Sequence, residues 1–446
     1  LKLSYFLSSR VSAGGGGEFS SVIHRIAVAT IAIGLAAAIV SFLILNGFRE
    51  TVMNKIFNFS SNLLITKYTL NNATQEEPFF TSLPSLRVVS EIPGVGHMQE
   101  YSHKAGLIRT DDEVLGAIFK GIGAAFDQSR FRESLVEGSF ISFPDSGYSR
   151  EVIISRTIAR KIKAGVGDDL IMHFFQNPPR VRRLTVTGVY ETNLSEYFDN
   201  KVIIGDIRMI RGLNEWADSV AGGVEVFVDY DQFDRITLFR DKMQAIAQSD
   251  LTPWEKLIEW SSTITGFDFE HEARMRAADN ISLTIDYDLF VETADEKYVQ
   301  VFEWLQLIGR QVNILLVIIL SVVCINMISV ILILVMERTP MIGMLKALGA
   351  RDSLIRGVFL IQGLSLVVRG LFIGNGIGLG LCWVQDRFKV IRLNPADYYM
   401  SFVPVSWHWE VVFVLNLLVL AVVALVLFVP AMAITRISPV KAIRFD

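Results

Sequence analysis

Few residues in this chain have both the type and the spacing that chemistry requires. The glycine run Gly14–Gly17 lacks the Lys-Ser/Thr that must follow it in a phosphate-binding loop, so it reads as a flexible joint. His271-Glu272 has no second histidine at the spacing of a zinc-protease helix, and no Gly-x-Ser-x-Gly elbow occurs. His97, His103 and His173 are scattered, as solvated or packed histidines are. Cys324 and Cys382 both lie inside apolar runs, which points to small membrane-buried side chains and not to a disulfide or a zinc site. Asn58 and Asn72 head glycosylation sequons, which arise often by chance. Neither a metal site, nor a bound cofactor, nor a catalytic constellation is expected, so the chain is expected not to be an enzyme. The polar residues that stand out are inside apolar runs. Arg369 costs roughly 2.5–3.5 kcal/mol at a helix centre on insertion scales. Gln362 and Asn375 compensate it weakly, and a structural contact inside a helix bundle is expected for it. For Asn326 an interhelical hydrogen bond is expected.

The elements that position these residues follow from the apolar runs. The chain has 446 residues, of which 51% are hydrophobic and 20% charged. Its net charge of −4 makes nucleic acid an unexpected partner. Uncharged or nearly uncharged runs at 26–45, 312–336, 357–384 and 411–434 each have the length of a transmembrane helix. The first is too long for a signal-peptide core and reads as an uncleaved anchor. Lys2, Arg10 and Arg25 flank it. Arg338, Lys346, Arg351 and Arg356 follow the second run, and Arg436, Lys441 and Arg444 follow the fourth. Arg387, Lys389 and Arg392 occupy the short loop on the other side. This balance places both termini in the cytoplasm.

The expected fold is therefore an α-helical membrane protein with four transmembrane helices. A large α+β periplasmic domain is inserted between the first and second. The expected boundaries are an arm at 1–25, helix 1 at 26–47, the domain at 48–309 and helix 2 at 310–336. A cytoplasmic loop follows at 337–352, then helix 3 at 353–385, a periplasmic loop at 386–408, helix 4 at 409–435 and a tail at 436–446. Within the domain, strands are expected at 62–70, 106–121 (a hairpin folded at Asp111-Asp112), 151–154, 170–175, 183–190, 201–205 and 223–230. Ser155 is placed to cap a helix over 156–164, and helices are expected at 233–248 and 295–307. Together these suffice for two small α+β lobes.

Three features are candidates for function. Between the second and third runs lies a short helix. Thr339 is its expected N-cap, Pro340 its first position and Gly349 its left-handed stop. Met341, Leu345 and Leu348 share one face, and the helix is too short to span a bilayer. In the third run Gly370, Gly374 and Gly378 repeat every four residues, with Gly376 and Gly380 on a neighbouring line. Small residues at this spacing let helix backbones approach, within one bundle or across a subunit interface. In the domain, a tip containing Phe174, Phe175, Pro178, Pro179 and Arg180 joins two strands. Its paired prolines stiffen it, and its aromatic residues would form an exposed patch.

The order of these features resembles one family. Ser20–Phe48 is similar to the first span of the lipoprotein-releasing Lol permeases, closing in Asn46-Gly47-Phe48. Val323–Ala350 is similar to their second span and the loop after it, with Asn326-Met-Ile-Ser329, Met336-Glu-Arg and a closing Leu-Gly-Ala. The tail Ser438–Arg444 resembles the family ending, and Val152–Leu170 resembles a strand, helix and Gly-Asp turn of its outer domain. The chain is thus similar to the permease family that includes FtsX, MacB and the Lol permeases. Arg369 does not fit its pattern.

The resemblance implies a permease of an envelope transporter in the bacterial inner membrane. Its partners would be two copies of a separate ABC ATPase, which binds ATP and Mg, and a second permease, identical or related. Pro340, Met341, Met344, Leu345 and Leu348 would form the coupling helix that rests on the ATPase. In the Lol branch a lipoprotein leaves the outer leaflet of the membrane for a periplasmic carrier, and a hook on one permease captures that carrier. Phe174, Phe175, Pro178, Pro179 and Arg180 are the candidate hook. Gly370, Gly374, Gly378 and Asn326 are the candidate helix-packing positions. A MacB-like efflux permease, which would be expected to carry its ATPase on the same chain, is one alternative. An FtsX-like regulator of a periplasmic cell-wall hydrolase is the other.

Overall fold

A computed structural model describes residues 18–69, 76–109, 114–194, 198–266 and 268–433. The glycine run at 14–17, Asn72, the Asp111-Asp112 turn and the tail at 438–444 lie outside the described residues. The chain divides into two compact units, Leu1–Glu50 with Glu303–Arg392 and Phe402–Asp446, and Thr51–Phe302 with Leu393–Ser401.

The first unit is helical. Its elements are α1 (Glu18–Ser60, of which the portion up to Glu50 belongs here), α2 (Val299–Glu337, of which the portion from Glu303 belongs here), α3 (Thr339–Ala347), α4 (Asp352–Phe388) and α5 (Trp409–Ala433). All but α3 are long and apolar enough to cross a membrane. Their core forms at three- and four-residue spacing. Ala27, Ile31, Leu35 and Ile39 line α1, Val323, Met327, Val330 and Leu334 line α2, and Leu415, Val419, Val423 and Leu427 line α5. The opposite faces are also apolar, with Ile314, Val317, Phe372, Phe413 and Leu425 exposed. Helices that are apolar all round suit a lipid surrounding, where outward side chains meet acyl tails.

The second unit is α+β. Its strands are β1 (Leu63–Lys67), β2 (Phe79–Phe80), β3 (Val95–Arg109), β4 (Val114–Ile122), β5 (Leu135–Gly138), β6 (Glu151–Ser155), β7 (Asp169–Phe174), β8 (Arg180–Tyr190), β9 (Val202–Asp206), β10 (Val220–Ala221), β11 (Gly223–Val228) and β12 (Leu289–Thr293). Ten of them form one sheet in the order β12-β1-β11-β3-β4-β9-β6-β8-β5. Strand β7 bridges β8 back to β3. The strands β3-β4-β9-β6-β8-β7 therefore close into a ring. One core, including Phe119, Ile154, Met172, Phe174, Leu184 and Ile203, belongs to this ring and the helices packed on it. A second core joins β1, β11 and β12 to the helix Phe269–Ser282 through Ile65, Val226, Ala277, Ile281 and Leu289.

The sequence suffices for two small α+β lobes; in the structure there are two cores, and one sheet runs through both. The reason is the length of β3, 15 residues. Its first half pairs with β11, its last residues pair with β7, and β4 pairs along the second half.

Local signals explain several boundaries. Ser155 Oγ accepts the Ile158 N–H at 2.9 Å and starts the helix Arg156–Ile162, which Lys163 ends in the left-handed conformation. The segment 295–307 is not one helix. Thr293 and Glu296 form a capping box on Ala294–Lys297, and α2 begins afterwards at Val299. The helices Pro253–Gly266 and Phe269–Ser282 are additional to those expected from the sequence. Helix α1 extends well past its apolar run. Its continuation, within the α+β unit, buries Val52, Met53, Ile56 and Phe57 on one face, a spacing masked in the sequence by Arg49, Glu50, Asn54 and Lys55.

Candidate functional site

Helix α3 begins at Thr339, the residue expected to cap it, one position before the expected first residue Pro340. Arg338 occupies the N-cap position without a side-chain cap, while Thr339 Oγ1 donates to the Val335 carbonyl at 3.1 Å. The threonine is thus spent on the preceding helix, which leaves Pro340 in the first turn, where its missing N–H costs no hydrogen bond. Gly349 has φ +86°, the conformation that stops the helix. The faces differ from the expected arrangement. Ile342 and Gly343 are buried, Met341 and Leu345 are half-buried, and Leu345 packs on the bundle core. Lys346 Nζ lies 3.0 Å from the Asp352 carboxylate. The outward stripe is Pro340, Met344 and Leu348, at four-residue spacing, with Met344 62% and Leu348 79% exposed. Such a stripe, rimmed by Arg338 and Arg351, suits packing against an apolar groove on another protein.

The hairpin of β7 and β8 carries the other sequence-predicted site. Phe174 pairs with Arg180 across its end. Phe174 is not part of an exposed tip. It is 1% exposed and meets Phe119 edge-on, with ring centroids 5.8 Å apart. Pairing of β7 with β3 closes the ring and turns the alternate residues Leu170, Met172 and Phe174 into its core. Phe175 lies outside, 58% exposed, with its N–H donating to the Ala105 carbonyl at 3.2 Å. Pro178 and Pro179 are exposed, and the Asn177–Pro178 peptide is cis. Arg180 is tied down, with Nη2 2.7 Å from the Glu215 carboxylate and Nη1 donating to the Gly212 carbonyl at 3.3 Å. The accessible apolar residues of the hairpin are Ile171, Phe175 and Val181.

In the helical unit the glycine stripe of α4 lies against α1. A Cβ at Gly370 would meet Ile31 at 2.7 Å, one at Gly374 the Ala32 carbonyl oxygen at 2.8 Å, and one at Gly378 the Ala36 Cα at 3.1 Å. The stripe therefore packs closely within the chain. Gly376 and Gly380 face open space.

Arg369 does not make the contact inside the bundle expected for it. It lies on the exposed side of α4 with Val368 and Phe372, opposite buried Leu366, Val367 and Gly370. Nor does Asn326 make its expected bond, since its Nδ2 is buried with no hydrogen-bond partner among the described residues. The interhelical amide pair is instead Asn375 with Asn416. Each amide donates to the other's oxygen, at 2.7 and 2.9 Å, joining α4 to α5. Two asparagines inside apolar runs were the available signal, but their pairing spans 41 positions.

The α+β unit also holds charges that no spacing in the sequence signalled. Lys120 Nζ donates to Glu225 Oε1 at 2.6 Å and to the Phe59 carbonyl at 2.7 Å. Gln99 Nε2 donates to the second Glu225 oxygen at 2.7 Å. This buried network ties β4 to β11 and to the end of α1. Beside it, a cavity of about 360 Å³ is lined by Glu76, His103, Lys120, Lys297 and Tyr298 among others. His103 Nδ1 lies 2.5 Å from Glu76 Oε1, and the His103 N–H donates to Oε2 at 3.1 Å. Among the described residues no His/Cys/Asp/Glu group could hold a metal. The Lys120, Glu225 and Gln99 side chains are thus engaged with one another.

Burial alone would raise the Glu76 carboxyl, but the charge and hydrogen bond of His103 outweigh it and hold the carboxyl down to about 2. A depressed carboxylate contributes stability that is complete above its ordinary value of 4.5 and lost as pH falls towards 2. The advantage of the wild type over Glu76→Gln in thermal unfolding is therefore expected to shrink across that window. A difference that does not change with pH over that window would overturn the pairing.

The family model for the FtsX-like permease C-terminal domain matches residues 313–439, and that for the MacB-like periplasmic core domain matches residues 26–246. The chain is 20% identical over 445 residues to the lipoprotein-releasing system transmembrane protein LolC of Xylella fastidiosa, covering 96% of this chain and 95% of that one. It is 31% identical over 169 residues to the probable export ATP-binding/permease protein MacB of Pseudomonas entomophila, covering 36% of this chain and 22% of that one. The periplasmic region of MacB from Actinobacillus actinomycetemcomitans aligns with a TM-score of 0.31 and 13% identity over 54% of this chain and 92% of that one. With an FtsX-like C-terminal region, a MacB-like core domain before it and LolC relatives along nearly its whole length, the chain belongs to the FtsX/MacB-type family of ABC transporter permeases.

Proposed function

We propose that this chain is the permease subunit of an envelope ABC transporter that releases lipoproteins from the outer leaflet of the inner membrane to a periplasmic carrier. The observation that carries this reading is the similarity to LolC along 96% of the chain. ATP, with Mg, is hydrolysed by two copies of a separate ATPase, and this chain works beside a second permease. Both termini and α3 face the cytoplasm, and the α+β unit is periplasmic. The exposed stripe Pro340, Met344 and Leu348 seats on the ATPase and passes its closure to α2 and α4, which flank α3 in sequence. A MacB-like efflux permease is the second reading, favoured by the core-domain match and the 31% identity to a MacB segment.

In the lipoprotein reading the β7–β8 hairpin captures the carrier through Ile171, Phe175 and Val181. Phe175→Ala with Val181→Ala should abolish carrier pull-down while ATPase assembly and ATP hydrolysis persist, because truncating aromatic anchors typically costs about 2 kcal/mol or more. Phe174→Ala should act differently, destabilising the unit by about 3–5 kcal/mol through a core cavity. Carrier binding unchanged in the surface double variant would remove the hairpin from the interface. A carrier-independent export activity would favour the second reading.

A further inference from the structure

The turn after α4 is built in a way that bundle packing does not explain. Helix α4 ends at Phe388, and Lys389 takes the left-handed conformation with its N–H donating to the Gln385 carbonyl at 2.8 Å. The buried Gln385 side chain then organises the rest of the turn. Its Oε1 accepts the Ile391 N–H at 2.9 Å, and its Nε2 donates to the Ile391 and Val403 carbonyls at 3.2 and 3.0 Å. The Val403 N–H donates to the Ile391 carbonyl at 3.1 Å. Val390 and Ile391 are 66% and 54% exposed, continuous with exposed Phe388 and Trp383 at the end of α4. Trp409, exposed at the start of α5, stacks on Trp407 with ring centroids 5.8 Å apart. Aromatic and aliphatic residues are thus held outward at the ends of two helices long and apolar enough to cross a membrane, the position from which interfacial side chains anchor a span.

Cations are interleaved with these residues. Lys389 Nζ sits 4.0 Å above the Phe402 ring. Arg387 and Arg392 are exposed and form no ion pair among the described residues. The carboxylate of the turn, Asp386, accepts a hydrogen bond from Trp407 Nε1 at 2.9 Å. Basic residues in a short non-cytoplasmic loop run against the usual charge bias, so they call for an anionic neighbour. Continuity with the outward face of α4 makes that neighbour a lipid.

We propose that this turn is a binding site for anionic phospholipid, with Phe388, Val390 and Ile391 seated in the interface and Arg387 and Arg392 holding a lipid phosphate. Guanidinium groups suit this, since they bond two phosphate oxygens at once. The proposal rests on the membrane topology proposed above and not on lipoprotein release.

The test uses the full chain purified from mixed phosphatidylglycerol and phosphatidylcholine, with retained lipid counted by native mass spectrometry. Wild type should retain phosphatidylglycerol preferentially, and the preference should fall about fivefold for each arginine replaced in Arg387→Gln and Arg392→Gln. An equal preference in the double variant, or none in wild type, would overturn the proposal. A spin label at Val390→Cys, with Cys324 and Cys382 replaced, supplies a second readout in bilayers. Greater accessibility to oxygen than to a water-soluble nickel chelate is expected, and the reverse would overturn the seating of the turn in lipid.

Discussion

Met344→Asp combined with Leu348→Asp is expected to abolish association with the ATPase while the permease remains folded in the membrane. Both side chains project from α3 and are mostly exposed, so neither aspartate meets a neighbour within the helical unit. In the proposed complex both are buried. Each large apolar side chain removed from water contributes about 1.5–3 kcal/mol, so losing two weakens binding by about 10²–10⁴-fold before any cost of the new charges. Burying an unpaired carboxylate adds several kcal/mol more. Co-purification of the ATPase from detergent-solubilised membranes measures the loss directly. Leu345→Asp is the instructive contrast. That residue packs on the bundle core, so its substitution should lower the yield of folded permease as well. Wild-type recovery of the ATPase with the Met344/Leu348 double variant would remove α3 from the coupling interface.

The second large effect concerns α4. Gly374→Leu should be far more damaging than Arg369→Leu. Even the first carbon of a side chain at Gly374 would lie 2.8 Å from the Ala32 carbonyl oxygen and 3.0 Å from Leu35 Cβ. Those are backbone and near-backbone atoms of α1, which cannot rotate away, so the two helices must separate along the whole glycine stripe. Overpacking of this kind costs about 1–3 kcal/mol in soluble cores, and more where backbones touch. Arg369 faces outward and forms no ion pair among the described residues, so leucine there removes a charge from an apolar run at no loss of packing. The thermal stability of the purified chain and its transport activity should rank Arg369→Leu well above Gly374→Leu. The opposite ranking would mean that Arg369 meets an anionic partner in the assembled transporter.

What the sequence determined alone was what depends on neighbours in the chain. A run of some twenty apolar residues forms a membrane-length helix whatever it packs against, because every backbone group must be satisfied within the segment. Pro340 falls in the first turn of α3 and Gly349 just past its end because their backbone constraints are local. Ser155 starts its helix for the same reason.

Which face each element turned inward was not local. On α3 the inner face passes through Ile342 and Gly343, and α3 carries apolar residues on both sides, so periodicity could not choose. On β7 the alternation put Phe174 and Phe175 on opposite faces, but only the pairing of β7 with β3 made Phe174 the buried one. The contacts that decided the remaining polar residues join distant positions. Asn375 bonds Asn416, Lys120 bonds Glu225 across 105 positions, and Arg369 is left outside because the α1-facing side of α4 is the one its glycines line. A buried polar group must find its partner wherever the fold brings one, and a close helix crossing selects its face by the absence of side chains. Both are properties of the packed molecule, fixed only once the helices and strands have met.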